Sequence, residues 1–348
     1  MSAHVLSFSQ TEPEKPWAVS FRFLLSLYAI VPLCVLVLWF DRIGFDDALR
    51  QALPSSPGHF LLFQVLFGTP HIIASNLLLL HHRDYLATFK TRLLGMSAFI
   101  VLVFGIGSLF IPYTVLYIIS AIWTVYHVLK QQHGIAKAVC RLPPWAFYMQ
   151  MWLSVLAGVF IYLGIFLKNT LTPEQAEWML TLATLFTALL VAATLVNQRQ
   201  VPGAFGRYFL WANTLLVVAS FYVYSQHYYF LAILMPRLVH DITAYSFYVT
   251  HDVNRHGNAP QAMPYRLAAA CRLSPAWVLP VLSLLLTVVL QVHGDAVINW
   301  ITLTLFDVKL YKAATLGIIG YLALMHYYTE SFIWSAGSPL RRYIRFGT

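Results

Sequence analysis

Apolar residues gather along this chain in about ten runs, at 18–40, 59–80, 93–111, 113–129, 146–167, 178–196, 208–226, 228–250, 275–292 and 312–334. Each is long enough to cross a bilayer as a helix. Hydrocarbon leaves backbone N–H and C=O groups no partner except each other, so runs of this length predict helices. The expected fold class is therefore all-α: a polytopic membrane helical bundle of about ten transmembrane helices. Ile111-Pro112 joins the third run to the fourth, and Ser225-Gln226-His227 joins the seventh to the eighth. Connections this short make hairpins of neighbouring helices. Neither an internal repeat nor a linker interrupts the pattern. The domains read as an N-terminal tail (1–16), a single transmembrane helical domain (17–335) and a basic C-terminal tail (336–348).

Composition agrees with that pattern. The chain is 59% hydrophobic and only 10% charged, where soluble domains carry roughly 25% charged residues. The charges are unevenly placed. Ten spans put both termini on one side, and that side collects most of the lysines and arginines, among them Arg83, Lys90, Arg92, Lys130, Lys137, Arg255, Arg266, Arg341, Arg342 and Arg345. The opposite loops hold Asp41, Asp46, Asp47, Glu174, Glu177, Asp295 and Asp307. By the positive-inside rule both termini are cytoplasmic. The net charge of +9 then has a topological origin and implies no nucleic-acid partner. The first run is too long for a cleaved signal and lacks a small-residue cleavage site. A multi-pass integral membrane protein is expected, of the bacterial inner (cytoplasmic) membrane. Cys34, Cys140 and Cys271 lie far apart with no CxxC spacing, which gives no disulfide framework or zinc ribbon.

Polar residues inside the apolar runs are few and costly, and such residues mark function by default. The eighth run carries His240 and Asp241 side by side at its middle, with His251 and His256 further on. Eleven residues separate His240 from His251, about three turns, so both share one face. The second run repeats that spacing with His71 and His82, next to His81. The fourth ends with His127 and His133, and the tenth carries His326 and Glu330 at i, i+4. His4, His59, His227 and His293 fall in the tail or on the outer side. A single histidine in a helix is more often a hydrogen-bonded residue between helices. Four spans that place histidines in one leaflet point instead to a metal or haem site near the cytoplasmic face.

The intramembrane acids are Asp241 and Glu330, each beside or one turn from a histidine. Either could ligate directly, or fix the tautomer of a ligand imidazole. The expected metal ligands are His71, His127, His133, His240, His251 and His326, with Asp241 and Glu330 in catalytic or supporting roles. Arg237, one turn before Asp241, is expected to pair with it. Imidazole plus carboxylate is the ligand set of non-haem iron, and also of zinc or manganese. One or two iron ions are the expected cofactor, with haem or zinc as alternatives. The partners would be a lipophilic substrate reaching the site from the membrane lipids, O₂, and a separate electron donor, since no dinucleotide-binding GxGxxG is present.

His251-Asp-Val-Asn-Arg-His256 resembles the HxxxxH box of integral-membrane fatty-acid desaturases and hydroxylases, although companion HxxHH boxes are absent. Gly68-Thr-Pro-His71 is similar to a stretch of the bacterial carotene-cleaving dioxygenases. That resemblance implies one iron held by dispersed histidines, with His127, His240 and His326 as the others. The function expected is a membrane non-haem iron oxygenase or oxidoreductase. The alternatives are a haem-binding or quinone-linked electron-transfer subunit, a proton-coupled transporter relaying protons through Asp241, Glu330 and the histidines, and an intramembrane zinc hydrolase.

Overall fold

The apolar runs fold as helices in the computed structural model, which describes residues 16–56, 60–257, 260, 262–335 and 337–347. His4 and His59 lie outside the described residues. Ten long helices follow in order: α1 (Phe21–Gly44), α2 (Leu61–Leu80), α3 (Arg83–Leu109), α4 (Tyr113–Cys140), α5 (Pro144–Phe166), α6 (Pro173–Gln200), α7 (Ala204–Ser225), α8 (Tyr229–His256), α9 (Pro275–Phe306) and α10 (Ile319–Ile333). The all-α class holds. Seven of the ten, α1, α2, α3, α5, α6, α7 and α9, are long and apolar enough to cross a membrane. The remaining three, α4, α8 and α10, carry His127, Lys130 and Gln131, Arg237, His240 and Asp241, and His326 and Glu330, polar residues that dilute their hydropathy. One boundary moves: α9 continues past 292 through a π turn at Val289–His293, so His293 sits within a helix and not in a loop.

Outward-facing positions are strongly apolar. Leu36, Phe40, Leu109, Phe110, Trp300 and Phe306 are all at least half exposed, a surface suited to lipid. The interior is organised on α8, which packs against α1, α2, α4, α7 and α9. α2 and α4 each also touch α10, so α8, α2, α10 and α4 close a ring. The Asn76 amide crosses from α2 to the Leu322 carbonyl at 3.2 Å and pins one side of it.

Two local devices shape this ring. Pro70 lacks the N–H that a regular helix needs at its position, and the preceding turn opens into a π turn over Gln64–Gly68. At the start of α10 another π turn, Ala313–Ile318, is capped from α9. There Asp295 accepts from the Ala314 and Thr315 amides at 2.8 and 3.1 Å.

Both described ends of the chain meet. Val19–Ser20 and Phe346–Gly347 pair as two short parallel strands. Asn254, near the end of α8, accepts from the Trp17 amide at 2.8 Å and donates to the Trp17 and Tyr343 carbonyls. Both described ends and the end of α8 therefore lie together on one side of the bundle.

Candidate metal centre

Each helix of the ring sends one histidine to its middle. The ring centroids of His71 and His240 are 5.3 Å apart, His71 and His326 4.9 Å, His127 and His240 4.8 Å, and His127 and His326 4.8 Å. His240 and His326 are 6.2 Å apart. None of the four is more than 6% exposed. The ligand atoms of His71, His240 and His326 all lie within 4.8 Å of one another, a spacing that could hold a metal ion. A second such group joins His127, His326 and Glu330.

The hydrogen bonds around the rings decide which nitrogens are bare. His71 Nδ1 lies 3.1 Å from the Phe67 carbonyl, in the turn opened before Pro70. A carbonyl only accepts, so Nδ1 carries the proton and Nε2 keeps its lone pair. His326 Nδ1 lies 2.8 Å from Ser75 Oγ, whose own proton goes to the Ile72 carbonyl at 2.8 Å. Ser75 therefore accepts from Nδ1, and His326 Nε2 is bare as well. Among the described residues, His71 Nε2, His127 Nε2, His326 Nε2 and both nitrogens of His240 are buried without a hydrogen-bond partner. One such group costs about 1–3 kcal/mol, and a cluster of them in one space is suited to a cation that binds neutral imidazole. Holding Nδ1–H on a carbonyl or hydroxyl while Nε2 faces inward is how ligand imidazoles are usually oriented.

The two acids take different places. Glu330 Oε2 lies 3.5 Å from His127 Nε2, within reach of the inner space. Its carboxylate accepts from the Tyr248 hydroxyl, from Trp334 Nε1 at 3.2 Å and from Gln131 Nε2 at 3.3 Å. Asp241 lies behind His71, with Oδ1 3.4 Å from Nδ1, the nitrogen that faces away from the centre. Arg237 Nε is 3.9 Å from Asp241 Oδ2, the expected pairing within α8.

Two expected ligands are elsewhere. His133 follows His127 by six residues, which turns it to another face of α4. There its Nε2 is 2.9 Å from Ser154 Oγ on α5. His251 shares the face of His240 but stands about 16 Å further along α8. Both its nitrogens are engaged, Nε2 with the Tyr85 hydroxyl at 2.8 Å and Nδ1 with Asp252 Oδ1 at 3.0 Å. The paired spacings on α2 and α8 thus build two layers of imidazole. The second, with His82 and His251 rings 6.0 Å apart, is a hydrogen-bonded knot at the helix ends. In it His82 Nε2 meets His256 Nε2 at 2.8 Å, and the Tyr265 hydroxyl donates to Asp252.

Sequence reasoning missed Ser75, Tyr248 and Trp334. Two of them were detectable: Ser75 follows His71 by four residues and Trp334 follows Glu330 by four, the spacing that shares a helix face. A cavity of about 580 Å³ adjoins the centre, with His127 and Glu330 in its wall beside Trp123, Tyr126, Tyr327 and Trp334. No protein-family model, curated protein or solved structure matches this chain. The arrangement itself defines the class of site, a buried four-histidine cluster inside a helical bundle.

Proposed function

We propose that this chain is an integral-membrane oxygenase of the non-haem iron class, acting on a lipophilic substrate, with His71, His127, His240 and His326 holding the metal. The observation that carries this reading is the convergence of four imidazoles from four helices whose partnerless nitrogens fall in two ligand groups that share His326, one with His71 and His240 and one with His127 and Glu330. Neutral imidazoles with a nearby carboxylate suit iron, and also zinc or manganese. The three cysteines stand outside the group, which disfavours copper(I) and iron–sulfur chemistry. The resemblance to the carotene-cleaving dioxygenases rests on these same four histidines and favours iron. Bound iron would supply a site for activating dioxygen at a position the protein leaves open.

The chain's own residues supply the setting. The four rings stand on packed helices, so their geometry is fixed before any substrate arrives. Burial keeps bulk water from the centre. The aromatic walls of the cavity suit a flat, unsaturated chain and bring it to His127. Glu330, held by three donors, is placed to accept or return a proton at Oε2 beside that ring. Electrons, where the reaction needs them, come from a separate partner. We read α4, α8 and α10 as spans too, ten in all. The lysine- and arginine-rich side, where the two described ends meet, then faces the cytoplasm of a bacterial inner membrane.

A haem subunit fits less well. Neighbouring rings of the cluster packed edge to face at 4.8 to 6.2 Å leave no slot for a flat macrocycle between paired axial histidines. The test is turnover under ¹⁸O₂ by detergent-purified protein, with an optical spectrum beside it. The expected result is labelled product from an unsaturated lipid and no Soret band. A Soret band moves the assignment to haem, bound zinc to hydrolysis, and protein without metal to a proton-coupled carrier.

A further inference from the structure

The cavity beside the centre is lined by both polar and aromatic residues. His127 and Glu330 stand in its wall with Trp123, Tyr126, Tyr327 and Trp334. Two cations, Lys130 and Arg341, also line it, and Glu330 is the one acid among its lining residues. Glu330 is already served by Tyr248, Trp334 and Gln131. Arg341 is engaged as well. It donates through Nη1 to the Ile344 carbonyl at 2.8 Å and lies 4.8 Å over the Phe346 ring.

Lys130 is different. It follows His127 by three residues on α4, which puts both on the same face. Its Nζ lies 5.1 Å from the Tyr126 ring centroid, and among the described residues it has no carboxylate partner. A half-buried ammonium with an aromatic face and no carboxylate beside it is available to pair with an anion. An anion in the cavity would sit on it, while the aromatic walls suit an apolar chain.

We propose that the cavity binds a long-chain amphiphile with a single carboxylate. The carboxylate sits on Lys130, and the chain runs along the aromatic walls toward His127. This rests on reading the cavity as the substrate site of the metal centre. Because Lys130 is one helical turn from His127, the carbons nearest the metal are those near the head of the molecule, and the far end of the chain is left toward the bilayer.

The experiment measures binding directly and needs no turnover. A fluorescent conjugated polyene fatty acid and its methyl ester are titrated into the full-length protein in a non-ionic detergent. Energy transfer from tryptophan reports occupancy, since Trp123 and Trp334 line the cavity. The acid is expected to bind on the order of tenfold more tightly than the ester, the size of one charge-assisted contact. Lys130→Gln should erase that difference without weakening the ester, and Lys130→Arg should keep it. Equal affinity for acid and ester in the unaltered protein overturns the proposal. So does an acid preference that survives Lys130→Gln. Metal content, measured on the same preparations, separates the two readings. Lys130-dependent acid binding by protein without metal sinks the oxygenase and leaves the head-group site standing, whereas metal-loaded protein indifferent to the carboxylate does the reverse.

Discussion

An imidazole is oriented toward a metal when one of its nitrogens is given hydrogen-bonding work and the other is left bare. For His71 that work is the Phe67 carbonyl, and for His326 it is Ser75, whose own proton is already spent on Ile72. Ser75→Ala removes the acceptor from His326 Nδ1–H and frees the ring to rotate or change tautomer. Metal affinity should fall about 10- to 100-fold, the usual cost of losing such a partner. Chelator competition measures it, and an unchanged affinity would remove Ser75 from the account. The four converging histidines were legible in the sequence because each is a polar residue stranded in an apolar run. His251 and His133 show where that legibility stops. Periodicity gives the angle of a residue around its helix but not its height relative to a site, so His251 faced correctly and stood about 16 Å away. His133 found Ser154 on a neighbouring helix, and nothing in one sequence pairs residues across helices.

At the scale of the element, the helices were predicted from the apolar runs, and their short connections at Ile111-Pro112 and Ser225–His227 are where they were expected. The irregularities were not. The π turns at Gln64–Gly68 and Val289–His293 have no periodic signature, and the second carries α9 well beyond its expected end. Close helix approaches are also set by single residues. A Cβ at Gly158 on α5 would come within 2.9 Å of Leu129 and Val125 on α4, the residues that flank His127. Gly158→Val should therefore cost about 1–3 kcal/mol by overpacking and should loosen metal binding with it. Gly44, where an added Cβ meets nothing within 4 Å, is the control. Thermal unfolding followed by tryptophan fluorescence reads both. Equal midpoints for the two variants would show that the α4–α5 contact does not constrain the site.

On the scale of the whole molecule, the second imidazole layer fastens the side of the bundle where the two described ends meet. Arg255 donates to Asp84 at 2.8 Å there and lies over the Tyr85 and Tyr343 rings. Burial pushes the His82 imidazole, between α2 and α3, down to about 4; its Nδ1–H bond to Leu78 opposes the shift and the nearby Arg255 cation adds to it. An unfolded histidine titrates near 6.5. The unfolded chain thus takes up a proton that the folded chain refuses, so this contribution is complete above about 6.5 and is lost as pH falls toward 4. The melting temperature should drop across that window, and His82→Gln, which cannot titrate there, should flatten the drop. A slope that the substitution leaves unchanged would place the acid sensitivity elsewhere. Oligomeric state and substrate left no readable mark in the sequence, since lipid-facing and partner-facing apolar surfaces have the same composition.

The measurement closest to the central claim is metal content across single histidine-to-alanine variants of the purified, full-length protein, paired with circular dichroism to confirm the helical fold. His71→Ala, His127→Ala, His240→Ala and His326→Ala should each lose most of the metal. His133→Ala, His251→Ala and His227→Ala should keep it, because those rings are hydrogen-bonded away from the cluster. Metal retained in full by folded His240→Ala, or lost equally from His251→Ala, would contradict a centre built by the four converging helices.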